Sequence, residues 1–212
     1  MDYGIKTTRY FQKYWRERKL NWKKDYQSPE MINHPHRDLI IRALRSFYWV
    51  SLFEIGVGAG ANLLKILQNF KGRQIGGVDI NKEAIELCQQ TFGGGMFKVN
   101  SADDVFLSDK STDVILSDML YIYVSPFKIN KHIKEIKRLA RNYFVGVEFH
   151  NDKWYNRLAL WWKTGYFAHD WKKLLKKNDF YDIFMYKLKE KDWPDGNPQK
   201  DYAYLIIAKL TK

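Results

Sequence analysis

The 212-residue sequence predicts an α/β fold: a mostly parallel seven-stranded sheet with helices on both faces, closed by a C-terminal antiparallel β-hairpin. Three observations predict it. From about residue 50, short apolar runs rich in β-branched residues alternate with segments whose apolar residues recur at helical spacing. That alternation is the signature of strand–helix–strand crossovers in a parallel sheet buried on both faces. The first strand then enters a patch with three glycines in five residues, Gly56, Gly58 and Gly60. Finally, "YDIFMYKLKEKDW" and "YAYLIIAKL" are joined by the turn-rich "PDGNPQKD", which leaves no room for a helix, so these two runs should pair antiparallel.

The first 34 residues read differently and are set apart as an N-terminal extension or lid ahead of a main domain at 35–212. Tyr10, Phe11, Tyr14, Trp15 and Trp22 interleave with Arg16, Arg18, Lys19, Lys23 and Lys24, the pattern of one amphipathic helix. Pro35 suits the first turn of a second helix, because its missing N–H would have no helical partner there. The main domain then runs in order: strand 1 at 50–55, a helix over 60–70, strand 2 "QIGGVDI", and the helix "NKEAIELCQQTF" stopped by Gly93, Gly94 and Gly95. Strand 3 is "MFKVN" and strand 4 "TDVILSD"; the helix "KINKHIKEIKRLA" and strand 5 "YFVGVEF" follow.

Composition bounds the function. The length suits one domain with a real core, and no apolar stretch approaches the roughly 18 residues needed to span a bilayer. Cys88 is the single cysteine, so no intrachain disulfide and no thiolate metal site can form, and no His/Asp/Glu cluster has metal-ligand spacing. With no apolar signal core at the N-terminus, a reducing cytoplasm is the expected home. The formal net charge of +12 favours an anionic partner, whether nucleic acid, an acidic membrane surface or an acidic small molecule, unless it serves solubility alone.

The glycine patch carries the cofactor question. Gly56-Val57-Gly58-Ala59-Gly60-Ala61 satisfies the dinucleotide fingerprint, and Asp79 stands about twenty residues on, where an acid would bind a ribose. NAD(P) is therefore a rival ligand, and an oxidoreductase a rival activity. Against it stand Glu54, two residues before the first glycine, the short chain left for a second nucleotide half, and the terminal hairpin.

Together, Glu54-x-Gly56-x-Gly58-x-Gly60, Asp79 at the end of strand 2, the stretch "DVILSDMLYIYVSP" and the closing hairpin resemble the class I S-adenosylmethionine-dependent methyltransferases, over roughly residues 34 to 210. "HPHR", "GANL", "GVDIN", "LYIYVSP" and "VEFH" are similar to a bacterial branch of that superfamily. The resemblance implies a Rossmann-like fold, S-adenosyl-L-methionine as cofactor, its demethylated form as product, and methyl transfer as the activity. It implies cofactor contacts from Glu54, Gly56, Gly58, Gly60, Asn62, Asp79 and Ile80. Asp79 would take both ribose hydroxyls through charge-assisted hydrogen bonds, and Glu54 would reach the cofactor's amino-acid end or else prop the glycine loop. The family often places an acid just after strand 3 to read adenine. Here "NSADDV" puts Ser101 at that place, with the Ala102 backbone or Asp103 as substitutes.

Ligands of open α/β sheets sit beyond the carboxyl ends of the strands. Strand 4 ends on Asp118, Tyr121 and Tyr123, strand 5 on Glu148 and His150. Methyl transfer needs a base only when the acceptor arrives protonated. His150 is the candidate base, with Glu148 two residues away on the same strand face and Tyr121 as a third catalytic candidate. Asp118 faces the cofactor's amine or caps its loop. His34, His36 and Arg37 fold over the site, Arg37 pairing with the cofactor carboxylate, or serve as helix cap and surface charge. Trp154, Tyr155, Trp161 and Trp162 wall an acceptor pocket, dip into a membrane interface, or cover the sheet edge. The expected acceptor is small or medium-sized and, given the charge, anionic. An RNA acceptor, or a basic nucleic-acid-binding module on a degenerate cofactor fold, is the alternative.

Overall fold

A computed structural model describes residues 6–93, 95–196 and 199–210. Seven strands form one sheet in the order β3-β2-β1-β4-β5-β7-β6. They are β1 (Ser51–Ile55), β2 (Gln74–Asp79), β3 (Met96–Val99), β4 (Thr112–Asp118), β5 (Ala140–Phe149), β6 (Phe180–Lys187) and β7 (Ala203–Leu210). The first five are parallel, while β7 runs antiparallel to both β5 and β6, as the closing hairpin predicts. The connection between β6 and β7 does hold one helical turn, α10 (Gln199–Tyr202), against the expectation of none.

Alternating side chains along each strand divide the core in two. Leu52, Val114, Leu116 and Val147 face one layer with α4 (Pro35–Arg45), α5 (Ala61–Asn69) and α6 (Lys82–Phe92). Phe53, Ile115, Phe144 and Ile206 face the other, against α7 (Ile129–Leu139) and α9 (Trp171–Lys177). The strand order reverses between β1 and β4, and the crevice that opens there is where open α/β sheets bind ligands.

The N-terminal segment is a chain of short helices rather than the single one expected: α1 (Thr8–Glu17), α2 (Trp22–Tyr26) and α3 (Pro29–Ile32). The break has a local cause. Asn81 donates its side-chain amide to the carbonyls of Trp15 (2.8 Å) and Arg18 (2.9 Å), holding the end of α1, and Asn21 then caps α2 by accepting from Lys24 N at 3.1 Å. Trp22 buries itself against Ala59 and Ala84, so α2 lies directly on the glycine loop.

One expected catalytic group proves to be part of the frame. Glu148 is fully buried under the loop that follows β4, and its two carboxylate oxygens accept the N–H groups of Leu120 (3.1 Å) and Tyr121 (3.0 Å). Burial pushes this carboxyl up to about 8, and the two donors hold it below where burial alone would take it. Glu148→Ala should therefore destabilise the fold by about 1–3 kcal/mol for each N–H left unpaired. Glu148→Gln, which keeps an acceptor, should cost less; urea unfolding of the two variants checks the difference.

Candidate active site

The crevice at the switch point is a cavity of about 450 Å³. Its floor is the glycine loop, one side is the loop after β4, and α1 to α3 close over it. Local conformation explains the glycines. Gly56, Gly58 and Gly60 all have positive φ (77°, 53° and 79°), a region L side chains rarely adopt. A Cβ on Gly60 would meet Phe92 at 2.5 Å, so this glycine serves the packing of α5 on α6. A Cβ on Gly58 would meet nothing within 4 Å and would stand in open space at the cavity floor. That bare floor is the form a closely approached ligand requires.

Asp79 ends β2 at the cavity edge. It accepts from Gly58 N and Asn81 N, each at 2.9 Å, one on either carboxylate oxygen. These bonds fix its orientation, and each oxygen keeps a lone pair for a hydroxyl. Burial raises its carboxyl above the ordinary value, and the loop's N–H groups oppose that shift.

Behind Asp79 lies a buried polar cluster. Asn62, on the first turn of α5, donates its amide to Glu54 (2.7 Å) and Asp118 (3.0 Å). Asp118 also pairs with His36 Nε2 at 2.8 Å, and His36 Nδ1 meets His34 Nδ1. Burial alone would raise the Asp118 carboxyl, yet His36 and Arg37 hold it at about 2. Burial beside Asp118 pushes Glu54 well above its ordinary 4.5. Four buried polar atoms here have no partner: Glu54 Oε2, Asn62 Oδ1, Asp118 Oδ1 and Arg37 Nε. Three acceptors and one cationic donor left unsatisfied in one cluster match the ammonium and carboxylate of an amino acid, and unpaired buried groups are costly without such a ligand. With a ribose-type carboxylate and a bare glycine floor nearby, these residues fit S-adenosylmethionine. Met119, next to Asp118, holds a positive φ of 51° and donates its N–H to Val147 O at 2.8 Å. Such strain in a non-glycine residue, at roughly 1–3 kcal/mol, is typical of a ligand-facing turn.

The expected residues divide cleanly. Gly56, Gly58, Asp79, Ile80, Ser101, Ala102 and Asp118 line the cavity, and Glu54 and Asn62 stand behind Asp118. Asp103 lies outside the cavity lining, and its oxygens accept from the Ser101 hydroxyl and from Lys131 Nζ at 2.9 Å. Asn100, the residue before Ser101, lines the cavity in its stead. The three catalytic candidates leave the site. Glu148 lies beneath the β4 loop, and Tyr121 is fully buried against His132 and Trp171. His150 accepts from Trp171 N at 3.2 Å, and its ring packs on Tyr204, on the far side of the β5 end. β5 ends at Phe149, one residue short of His150, and neither Glu148 nor His150 lines the cavity. In their place come His34 and the lid aromatics Phe11, Trp15, Trp22 and Tyr26. Only the aromatic density of the N-terminus signalled the latter.

The fold and cavity together have the form of an α/β nucleoside-binding site. Residues 52–142 match the family model described as a methyltransferase domain. Among solved structures, the chain is similar to magnesium protoporphyrin IX methyltransferase from Synechocystis with S-adenosylmethionine bound: TM-score 0.66, 13% identity, 100% of both chains covered. It is similar to an S-adenosylmethionine-dependent methyltransferase from Aquifex aeolicus (TM-score 0.59, 14% identity, 91% of this chain and 100% of that one). It is also similar to geranyl diphosphate C-methyltransferase from Streptomyces coelicolor (TM-score 0.64, 10% identity, 99% and 97%). No curated protein matches it in sequence. Residues 52–142 thus match a methyltransferase domain, and the chain shares its fold with solved S-adenosylmethionine-dependent methyltransferases.

Two outcomes follow from this geometry. Asp79→Ala should raise the Kd for S-adenosylmethionine at least tenfold, about 1.4 kcal/mol, and Gly58→Ala should do likewise while costing roughly 1–2 kcal/mol of stability through its φ; calorimetry and thermal unfolding check both. The second outcome concerns pH. Burial lowers His34, His132 and His169 from 6.5 to about 4. Between those values the unfolded chain binds more histidine protons than the folded one, so the histidines make stability fall as pH drops from 6.5 towards 4, against the opposite contribution of the raised Glu54 and Glu148 carboxyls. The difference in Tm between the native protein and a histidine variant isolates the histidine share. His132→Gln should flatten that slope.

Proposed function

We propose that this enzyme methylates an oxygen or nitrogen of a small or medium-sized acceptor, and that His34 removes the acceptor's proton. The observation that carries the reading is the line Asp118–His36–His34, which runs from the amino-acid end of the cofactor site to the outer wall of the same cavity. With His36 donating Nε2–H to Asp118, its Nδ1 is an acceptor, and His34 Nδ1 must carry the proton between the two rings. His34 Nε2 then keeps a free lone pair, and the exposed Asp195 lies 3.8 Å from it. Burial, with His36 and Arg37 beside it, lowers the ring to about 4, so it is neutral at physiological pH. Trp193 packs against both imidazoles, with ring centroids at 4.8 and 4.2 Å, and fixes the pair in place.

When bound, S-adenosylmethionine supplies an electrophilic methyl group on a sulfonium. The chain's own residues bind its two ends and align the acceptor, and in a displacement of this kind alignment contributes most of the acceleration. Tyr123, Tyr166, Phe11 and Trp15 form an aromatic wall, with Gln12 and Gln199 as polar points. Such a wall favours an acceptor with a flat apolar body and one polar end. The basic surface supports an anionic acceptor.

Incubation with a panel of phenols, carboxylates and amines, with demethylated cofactor as the readout, tests the reading. His34→Ala should lower turnover by about 10²–10⁴ while leaving the calorimetric Kd for S-adenosylmethionine within about threefold. The acidic limb of the native activity should lie near the depressed value of about 4 rather than at 6.5. Full activity in the alanine variant would remove His34 from the chemistry, and binding of NAD(H) in preference to S-adenosylmethionine would overturn the cofactor assignment.

A further inference from the structure

The helix α8 (Trp154–Thr164) is built inside out. A helix on a globular protein normally buries its apolar stripe and shows charge to water. Here the residues turned to solvent are Trp154 (67% exposed), Tyr155 (54%), Leu158 (52%) and Trp162 (83%). At 100° per residue these four, with the exposed Ala159, occupy one continuous arc, and the exposed Lys153 and Lys163 stand at its two ends. The inward side carries Leu160 but also Asn156, Arg157 and Thr164. The ring contacts of Trp154 and Trp162 are with neighbours on the same helix, Tyr155 at 6.1 Å and Trp161 at 6.4 Å between centroids. Two exposed tryptophans a helical turn from an exposed leucine form a patch of a kind soluble surfaces rarely leave open.

The neighbouring surface tells which partner the patch fits. Trp161 Nε1 donates to the carbonyl of Lys6 at 3.3 Å, so the start of α1 lies alongside α8. The exposed side of α1 presents Tyr10 and Tyr14, stacked at 6.4 Å, among the exposed Arg9, Lys13 and Arg16. Amphipathic aromatics with an aliphatic side chain on one face and a lysine and arginine fringe beside them are the composition of a helix lying in a lipid headgroup layer. The chain's net charge of +12 adds long-range attraction to an anionic surface. We propose that α8, flanked by α1, docks this enzyme on an anionic lipid membrane, with Trp154, Leu158 and Trp162 entering the interface. A protein partner would need no basic fringe, and a nucleic acid would not need Leu158. The proposal is independent of His34 and of the identity of the acceptor.

Co-sedimentation of the full chain with vesicles of phosphatidylcholine alone, and with about one third phosphatidylglycerol, is the test. Binding to the anionic vesicles is expected, with a blue shift of tryptophan emission and weakening as salt rises. The triple variant Trp154→Ser/Leu158→Gln/Trp162→Ser should bind at least tenfold more weakly at an unchanged Tm, because these side chains contact solvent rather than core. Lys153→Glu/Lys163→Glu should also weaken binding, through charge alone. Equal binding of native and triple-variant protein would overturn the proposal, as would no binding to anionic vesicles. So would either of two other outcomes for the native chain without vesicles: a dimer in light scattering that the triple variant abolishes, or a shift of a single-stranded RNA probe that the triple variant abolishes.

Discussion

The arrangement of this enzyme hangs on one buried carboxylate. Asp118 ends β4 in the middle of the sheet, and a charge in that position is tolerated only with partners on every side. His36 reaches it from the start of α4, Asn62 from the start of α5, and Arg37 adds a cation beside it. These contacts draw two distant stretches of sequence to one strand end. They set the His34–His36 pair, the Glu54–Asn62 pair and the turn at Met119 around a single point. The oxygen that Asp118 leaves unpaired, with those of Glu54 and Asn62, gathers three unsatisfied acceptors at that point.

The lid follows from the same constraint. "HPHR" folds inward to meet Asp118, and residues 6–33 before it are brought back across the cavity instead of trailing into solvent. Their aromatic side chains then find apolar surface on the glycine loop, α6 and the loop after β4. Gln27 completes the attachment by donating to Ala59 O at 2.8 Å, on the glycine loop itself. Cofactor floor and lid are therefore coupled: the loop that a ligand touches from above is the one that α2 rests on.

A second consequence is a division of labour between the two strand ends at the centre of the sheet. The β4 end supplies groups that line the cavity, and β5 supplies the group that supports them. Glu148 holds the β4 loop by its N–H groups from below, so Leu120 and Ile122 can line the cavity while Tyr121 is anchored in the core. A carboxylate under a loop and a carboxylate at its entrance look alike in a sequence. Their burial and partners separate them: one pushed up to about 8, the other held at about 2.

The sequence by itself determined the sheet, its hairpin closure, the glycine floor and Asp79, because these rest on local rules. Strand and helix periods, glycine where φ is positive, and an acid one strand later are all legible within short windows. It also singled out Arg37, Asp118 and Glu54, without saying how they meet. Tertiary structure decided the rest. His150 and Glu148 stand two residues apart at the end of β5, but β7 pairs there, Trp171 of α9 donates to His150, and neither side chain lines the cavity. The break between α1 and α2 depends on Asn81, some sixty residues away, which offers its amide to carbonyls that a continuous helix would have kept for itself. Likewise His34 gains its neutral ring from burial under Trp193, far along the chain. Hydrogen-bond partners and desolvation come from whatever the fold brings near, and sequence spacing carries no record of that.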